Sequence, residues 1–374
     1  MERHVLTPRP DWAAQAEALG FTYHSHEEGP YWDESACYVL SAAEVDTLEA
    51  AADTLHALCL QAAQVVIDRG WWDRLGIPPA AVPAIVDSWE RDDPSLYGRF
   101  DLAFDGSGPP KLLEYNADTP TALIEASVMQ WHWLQARFPD ADQFNSLHER
   151  LIDAWRHVAA GRVHFTGVPD QPEDAQTVTY LMDTCQQAGF ETAWVPIGDL
   201  GWDSARRTFV DADDAPVPAL FKLYPWEWMW REAFAAHVAE APTLFLEPPW
   251  KLLLSGKGLL PILWELYPGH ENLLPAFDRP DPSLRGRFAR KPRFSREGAN
   301  VTLVEDGRII ETTEGPYGAE GFVHQALAAT RPFDGRHPVC GVWIVNHAAC
   351  GLGIREDTRR ITGNLSRFVP HRMA

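Results

Sequence analysis

The sequence predicts an α/β protein with a helical N-terminal region, a small parallel βαβ lobe and a mostly antiparallel C-terminal lobe. Helical periodicity dominates the first part of the chain. Apolar strands alternate with helical segments in the middle, and short strands joined by glycine turns fill the last third. At 374 residues the chain exceeds the usual size of one compact domain. We expect boundaries that divide it into residues 1–161, 162–248 and 249–374.

The N-terminal region is predicted to be mainly helical. Apolar side chains recur at helical spacing in four segments, residues 41–69, 79–91, 120–138 and 142–161. The third of these helices is expected to begin at Pro120, with Asp118 or Thr119 as its N-cap, because proline is favoured at the first helical position.

The middle region alternates strands and helices. The strand-like segments VHFTGV and ETAWVPI flank the helical segment EDAQTVTYLMDTCQQAGF, whose end is marked by Gly189. The alternation continues through ALFKLY and WEWMWREAFAAHVA to TLFLEPPW, which predicts a small parallel sheet flanked by helices. No low-complexity linker separates the regions, so the lobes are expected to pack together with a ligand site in the cleft between them.

The last third of the chain predicts mostly antiparallel structure. LSGKGLLPILWELY is typical of a loop that leads into a helix, and residues 285–312 suggest a strand followed by a hairpin. A helix is expected at residues 321–329. The segments PVCGVWIVN, CGLGIRED and TRRITGNLSRFVPH have the composition of antiparallel strands with tight turns.

A hairpin with a distinctive set of polar side chains follows the first helices. RFDLAF and KLLEYN each alternate polar and apolar residues, and DGSGPP between them supplies a turn. If the two strands pair, Arg99, Asp101, Glu114 and Asn116 converge. Two carboxylates and an amide oxygen form a ligand set suited to Mg²⁺. From spacing alone, a surface hairpin with alternating charges explains the pattern equally well.

Charge and cysteine usage exclude several classes of function. The net charge is −21 and the acidic residues are dispersed, which argues against binding to nucleic acid or to anionic membranes. The five cysteines are widely spaced and form no CxxC, so neither a disulfide framework nor a zinc site is indicated. The sequence has no signal-like apolar core and no evident run of roughly 20 apolar residues, so a cytoplasmic protein is expected.

Several cations lie in segments that suit phosphate binding. Lys257 follows a Ser-Gly turn and precedes a predicted helix, although a solvated surface lysine explains it as well. Lys291 and Arg296 belong to ARKPRFSREGANV, whose four positive charges are unusual in so acidic a chain; a basic turn that satisfies local carboxylates is the alternative. Arg355 follows two glycines, where a guanidinium can bind an oxyanion bidentately.

The motifs GxSxG and GxGxxG are absent from the sequence, which disfavours serine hydrolases and nicotinamide enzymes.

An ordered set of motifs resembles a known family. RFD, LLEYNADTPT, EPPWKLLLSGKGLLPILWELYPGHENLL, ARKPRFSREGANV and GIRED look like the synthetase domain of glutathionylspermidine synthase and its shorter bacterial relatives, over residues 29–371 or so. The resemblance implies an ATP-grasp fold and an Mg²⁺-ATP site between lobes. It also implies ligation of a small-molecule carboxylate to an amine through an acyl phosphate.

The resemblance also assigns roles to individual residues. Asp101, Glu114 and Asn116 match the family's magnesium ligands. Arg99 matches an arginine that contacts the transferring phosphoryl group or the carboxylate substrate, and Arg355 matches an arginine near the transferring phosphate. The matches to ATP-binding positions are Lys257, Lys291, Arg296, Gly298 and, more weakly, Gln325.

The chain departs from the family pattern in two ways, and these departures leave the identity of its substrates undetermined. The bifunctional synthases carry an upstream amidase domain that this chain does not match, so peptide hydrolysis is expected to be absent. Thr119, Pro120 and Thr121 stand where glutathione-using synthases have serines, and Asn364 stands near the position of a family lysine. We therefore expect Thr119 and Thr121 to contact substrate of unknown identity. A kinase that stops at phosphoryl transfer, or a silent nucleotide-binding protein, remains an alternative.

Overall fold

The computed structural model describes residues 1–27, 29–159 and 161–374. Within this part of the chain, the α-helices are α1 (Trp12–Ala18), α2 (Ala42–Arg69), α3 (Trp72–Leu75), α4 (Val82–Glu90), α5 (Gln130–Arg137), α6 (Leu147–Val158), α7 (Pro172–Gln187), α8 (Trp226–Met229), α9 (Leu252–Ser255) and α10 (Leu259–Leu266). A π-helical turn, Glu125–Met129, precedes α5.

The strands belong to six sheets of two to five strands in the described residues. They are β1 (Glu2–Val5), β2 (Ser25–His26), β3 (Gly29–Pro30), β4 (Ala36–Leu40), β5 (Tyr97–Ala103), β6 (Lys111–Asn116), β7 (Val163–Gly167), β8 (Thr192–Trp194), β9 (Gly201–Asp203), β10 (Thr208–Val210), β11 (Ala219–Leu223), β12 (Leu244–Leu246), β13 (Ala276–Phe277), β14 (Phe288–Pro292), β15 (Thr302–Glu305), β16 (Arg308–Thr312), β17 (Phe322–Ala326), β18 (His337–Val345), β19 (Ala348–Asp357), β20 (Arg367–Val369) and β21 (His371–Met373).

A five-stranded antiparallel sheet of order β20-β19-β18-β5-β6 lies at the centre of the protein. Its β5 side chains alternate between the two faces. Phe100 and Leu102 are fully buried in the hydrophobic core, which includes residues of α2. Arg99 and Asp101 are only partly buried and face the cleft. The sheet thus joins strands from both sides of the boundary expected at residue 161.

Two further sheets flank the cleft. The antiparallel sheet β13-β17-β14-β15-β16 carries Lys291 on β14 and Gln325 on β17. The parallel sheet β12-β11-β7-β8 packs against α7, and its β11 carries Lys222. The protein is therefore a mixed α/β structure in which three sheets surround one region.

Helix α2 supplies the long apolar face against the central sheet. A reciprocal capping box between Ser41 and Glu44 begins the helix, and Gly70 ends it with φ 64°. By length and composition alone α2 could cross a membrane, with a mean hydropathy of 1.3 over its best window. The expectation that no segment has this apolar content was therefore wrong. However, Leu48 and Leu55 are fully buried in the protein core, which accounts for the apolar face without a bilayer.

Four predicted helices differ from the structure, namely those expected at residues 321–329, from Trp226, at residues 142–161 and from Pro120. Residues 321–329 contain strand β17, which pairs with β13 on one side and β14 on the other. Val323, His324 and Gln325 are consequently all buried, so the strand lacks the alternation that would have identified it. The helix expected from Trp226 is only the four-residue α8. That expected at residues 142–161 is α6, which begins at Leu147.

The helix expected at Pro120 begins later, at Leu123. Arg99 Nη1 donates a hydrogen bond to the Thr121 carbonyl oxygen at 2.7 Å, and Ala122 has φ 66°, so the backbone before Leu123 is held outside the helix. The predicted N-cap Asp118 instead accepts a hydrogen bond from the Trp226 amide at 2.9 Å. Residues 119–121 therefore form an ordered connection at the edge of the cleft.

A buried ion pair links this connection to the parallel sheet. Lys222 Nζ donates to Asp118 Oδ1 at 2.5 Å, and the side chains are 0% and 3% exposed. Burial lowers the pKa of Lys222, and the carboxylate of Asp118 opposes that effect. The pair therefore fixes the segment that follows β6 against β11 of the parallel sheet. The two residues are 104 positions apart in the chain.

Replacing Lys222 with Met should lower the free energy of unfolding by about 3–5 kcal/mol, because Asp118 would keep a buried charge without a counter-charge. Urea unfolding measures this change. Adding Asp118→Asn should recover part of the loss, since it removes the uncompensated charge. The matched control Arg162→Gln breaks the exposed ion pair with Glu191 and should cost at most about 1 kcal/mol. Wild-type stability in Lys222→Met would contradict the expectation.

Candidate active site

The β5–β6 hairpin brings the four predicted polar residues together. Arg99 lies opposite Asn116, and Asp101 lies opposite Glu114, which confirms the predicted strand pairing. Arg99 donates two hydrogen bonds to Asp101, from Nε at 2.7 Å and from Nη2 at 3.1 Å. Asn116 Nδ2 lies 3.1 Å from Asp101 Oδ2 and 3.2 Å from Glu114 Oε1. The oxygens of both carboxylates therefore converge on one amide group.

The donor set fits a hard divalent cation. Two carboxylates and one amide offer oxygen ligands, and turning the Asn116 amide would direct Oδ1 to where Nδ2 now lies. The part of the chain that the structure describes holds no cluster of three His, Cys, Asp or Glu side chains in metal-binding geometry, and the hairpin supplies only two of that kind. Such a site leaves coordination positions for phosphate oxygens and water, as magnesium sites commonly do.

Two lysines neutralise the hairpin carboxylates. Lys257 Nζ lies 2.9 Å from Glu114 Oε2 and donates to the Ser295 carbonyl at 3.0 Å. Burial alone would raise the pKa of Glu114, but the ammonium groups of Lys257 and Lys291 outweigh it and lower this pKa to about 2. Lys257 precedes α10 by two residues. The cations expected to bind phosphate thus lie directly beside the candidate metal ligands.

Lys291 and Gln325 are anchored to each other and to the hairpin. Lys291 Nζ donates to Gln325 Oε1 at 2.8 Å and to the Leu113 carbonyl at 3.0 Å, while Gln325 Nε2 donates to the Leu112 carbonyl at 2.8 Å. Burial lowers the pKa of Lys291 to about 8, against the opposing effect of Glu114. These bonds join β14 and β17 to β6 across the cleft.

These residues surround a cavity of about 380 Å³ between the two antiparallel sheets. Its polar end carries Asp101, Glu114, Lys257 and Lys291. Its other end is apolar and is lined by residues that include Ala289, Val301, Leu303 and Ile361. A cavity of this size with an apolar end and with two lysines and two candidate metal ligands at the other suits a small anionic ligand with a flat apolar part.

A second cavity, of about 140 Å³, lies on the other side of the hairpin carboxylates. Arg99, Arg355, Thr119 and Thr121 line it. Asp101 and Glu114 line both cavities, as do Gly298 and Thr362. The candidate metal ligands therefore lie at the junction between two ligand-sized spaces.

The second cavity also has a strongly acidic wall, which the sequence did not predict. Its carboxylates are Glu173, Asp174, Glu227 and Glu297. Burial, followed by repulsion from Glu173, raises the pKa of Asp174 to about 6. Burial also raises the pKa of Glu227 despite Arg296, whose Nε lies 3.9 Å away. These residues come from α7, α8 and a loop, so no local motif could have grouped them.

The loop that carries Arg296 and Gly298 covers the junction. Arg296 Nη2 donates to Thr119 Oγ1, and its guanidinium lies 5.3 Å from the centre of the Trp228 ring. Gly298 has φ 67°, and a Cβ there would approach Ile361 Cγ2 to 2.8 Å, so only glycine fits. Arg296 and Gly298 thus contact both Thr119 and the loop that contains Ile361.

Arg355 lies on β19 near Arg99, with both side chains lining one small recess. Its Nη2 donates to the Gly363 carbonyl, whereas its buried Nε has no hydrogen-bond partner in the described chain. Lys251, six residues before Lys257, donates to Ser95 Oγ at 2.8 Å and pairs with Glu247, and it lines neither cavity. Lys257 therefore lies in the candidate site, whereas Lys251 is a buried lysine outside it.

Comparison with known proteins agrees with this architecture. The solved structure of a glutathione synthetase-like effector from Globodera pallida superposes with a TM-score of 0.58 at 10% identity, covering 90% of this chain and 89% of that one. The fold is therefore of the glutathione synthetase-like class. The family model "Glutathionylspermidine synthase preATP-grasp" matches residues 3–374, and the chain belongs to the glutathionylspermidine synthase family.

Relatives in this family are named as ligases or synthetases. A proposed acid–amine ligase of Haemophilus influenzae is 39% identical, with 97% of each chain covered. The trypanothione synthetase of Crithidia fasciculata is 29% identical over 85% of this chain, and the bifunctional glutathionylspermidine synthetase/amidase of Escherichia coli is 28% identical over 89%. The chain spans 54% and 58% of those two longer proteins. The protein is an enzyme of the carboxylate–amine ligase type, and the kinase and silent-protein alternatives are not favoured.

The pKa of Lys291 predicts proton uptake when nucleotide binds. Above a pKa of about 8 the free protein holds this side chain largely as the neutral amine, and a bound phosphate would restore the ammonium. Binding of ADP should therefore take up protons at about pH 9 but not at pH 7, where Lys291 is already charged. Calorimetry in buffers of different ionisation enthalpy measures the uptake.

The control for this prediction is Lys291→Arg, because arginine stays charged at both pH values. This variant should bind ADP at pH 9 with no proton uptake. A wild-type binding enthalpy that is independent of the buffer at pH 9 would contradict the assignment of Lys291 to the phosphate site.

Proposed function

We propose that the chain is an ATP- and Mg²⁺-dependent ligase of the ATP-grasp fold. It would join the carboxylate of a peptide or amino acid to an amine through an acyl phosphate. The observation that carries the proposal is the position of Asp101 and Glu114 between two cavities. One cavity has two lysines and an apolar end, and the other is lined by arginines and carboxylates. In this arrangement residues 162–248 act as the pre-ATP-grasp-like lobe and residues 249–374 as the nucleotide-binding lobe.

The larger cavity suits ATP. Its apolar end would receive the base, and Lys257 and Lys291 would bind the phosphates, with Gln325 holding Lys291 in place. Asp101, Glu114 and Asn116 would hold Mg²⁺, which neutralises the phosphate oxygens as charge builds up during transfer. The ion pairs of Glu114 with Lys257 and of Asp101 with Arg99 would then loosen, which frees both cations for phosphate.

The reaction proposed at the junction has two steps. A substrate carboxylate oxygen attacks the γ-phosphorus, the bond to ADP breaks, and an acyl phosphate forms. A neutral amine then attacks the acyl carbon, phosphate leaves, and the amine nitrogen loses a proton. Arg99 and Arg355 would orient the carboxylate and stabilise the charge on the oxygens, because a guanidinium binds such groups bidentately. No covalent enzyme nucleophile is required.

The acidic wall suits a cationic amine. Glu173, Asp174, Glu227 and Glu297 line the same cavity as Thr119 and Thr121. These carboxylates would attract an ammonium group or a second amino group of a diamine, while the threonines would contact the acid substrate. The acid and amine substrates would thus contact different side chains of the same cavity.

A panel of acids and amines tests the proposed reaction. ATP with the correct pair should release ADP and give a product whose mass equals acid plus amine minus water. Asp101→Asn with Glu114→Gln should lower the rate at least about 100-fold, because the charge stabilisation of the transferring phosphoryl group is lost. The control Asp153→Asn alters an exposed carboxylate and should keep full activity. Full activity in the double variant would contradict the metal site, and absence of any adduct across the panel would contradict the ligase function.

The acidic wall makes a separate prediction. Glu227→Gln should raise the KM for the amine about tenfold and leave the KM for ATP unchanged, because a neutral amide attracts an ammonium group less than a carboxylate does. Glu240→Gln, which changes an exposed carboxylate outside the cavity, is the matched control. An unchanged KM for the amine would show that Glu227 does not contact it.

A further inference from the structure

One wall of the larger cavity is a loop that lies between its two sheets. The loop follows β19 of the central sheet, and Arg360, Ile361 and Thr362 line the cavity. The Ile361 side chain is 6% exposed and packs with Ala289 and Leu303 of the other antiparallel sheet. The position of this loop therefore sets the shape of the apolar end, which is where the base of a nucleotide would lie.

Glu311, on the edge strand β16, holds this loop by its backbone. The Arg360 amide donates to Glu311 Oε2 at 3.0 Å, and the Ile361 amide donates to Oε1 at 3.2 Å. Arg359 Nε adds a third bond to Oε1 at 3.3 Å. A carboxylate that accepts from two consecutive amides fixes the direction of the backbone, and bonds to a charged acceptor are stronger than neutral ones.

The loop is also confined from the opposite side. Gly298 of the covering loop lies so close to Ile361 and Thr362 that a side chain would not fit between them. The Glu297 side chain meets Asn364 just beyond the loop. One side of the loop at residues 359–362 therefore packs against the loop that carries Gly298. The other side is held mainly by hydrogen bonds to Glu311.

We propose that Glu311 is a positioning residue for the nucleotide: it holds residues 359–361 closed against the base, although its own side chain does not line the cavity. The inference rests on the proposed nucleotide site. Without the Glu311 carboxylate the Ile361 wall would open more often, and a bound nucleotide would dissociate faster. The chemistry at the hairpin would be unaffected once the nucleotide is bound.

Glu311→Gln tests the proposal with MgADP as the probe. The glutamine keeps the shape of the side chain but replaces one accepting oxygen by an NH₂ group that faces a backbone N–H. We expect the affinity for MgADP, measured by calorimetry, to fall about tenfold, as expected for loss of one charge-assisted hydrogen bond. Stopped-flow fluorescence with N-methylanthraniloyl-ADP should assign the loss to faster dissociation. The matched control is Glu314→Gln, an exposed carboxylate three residues away, which should behave as wild type.

A second measurement uses the wild-type protein and does not depend on the variant folding. Hydrogen exchange should find the Arg360 and Ile361 amides protected, and more so with MgADP. Unprotected amides, or MgADP dissociation from Glu311→Gln at the wild-type rate, would overturn the proposal. If the wild-type protein does not bind MgADP at all, the proposed nucleotide site fails instead, so the two failures are distinguishable.

Discussion

The antiparallel register of β5 between β6 and β18 is the constraint on which the site depends. In this register Phe100 and Leu102 enter the core, while Arg99 and Asp101 face the cleft. A slip of one residue would exchange the faces, burying a carboxylate in the core and exposing large apolar side chains. The fold and the candidate metal site are therefore specified by the same hydrogen bonds.

Electrostatic balance explains why an acidic chain concentrates buried cations at this point. Lys291 is buried and Glu114 partly buried at one end of the larger cavity, and each shifts the pKa of the other toward its charged form. Lys257 completes the group by contacting Glu114. These three charges satisfy one another, so none of them is a buried charge without a counter-charge. On binding, a divalent cation would pair with the carboxylate and a polyphosphate would pair with the lysines. These contacts would replace the pairs that the side chains now make with one another.

The sequence predicted the hairpin and the cations of this site but missed strand β17 and the acidic wall. The hairpin was predictable because alternation and a glycine-proline turn determine which residues share a face. Strand β17 was not, because a strand paired on both sides and buried on both faces loses that alternation. Glu173 and Glu227 were missed for another reason. They lie more than 50 residues apart on separate helices and meet only through packing of the parallel sheet.

The two sides of the larger cavity differ in how they are held. The hairpin side is part of a continuous sheet, so moving Asp101 would require breaking a ladder of backbone hydrogen bonds with packed side chains behind it. The opposite side consists of the loop that carries Gly298 and the loop that contains Ile361, whose polar contacts each contribute about 1–3 kcal/mol. Such a cover opens at low cost. A site that must admit ATP, exclude water during transfer and release ADP needs this asymmetry, with fixed ligands facing a movable cover.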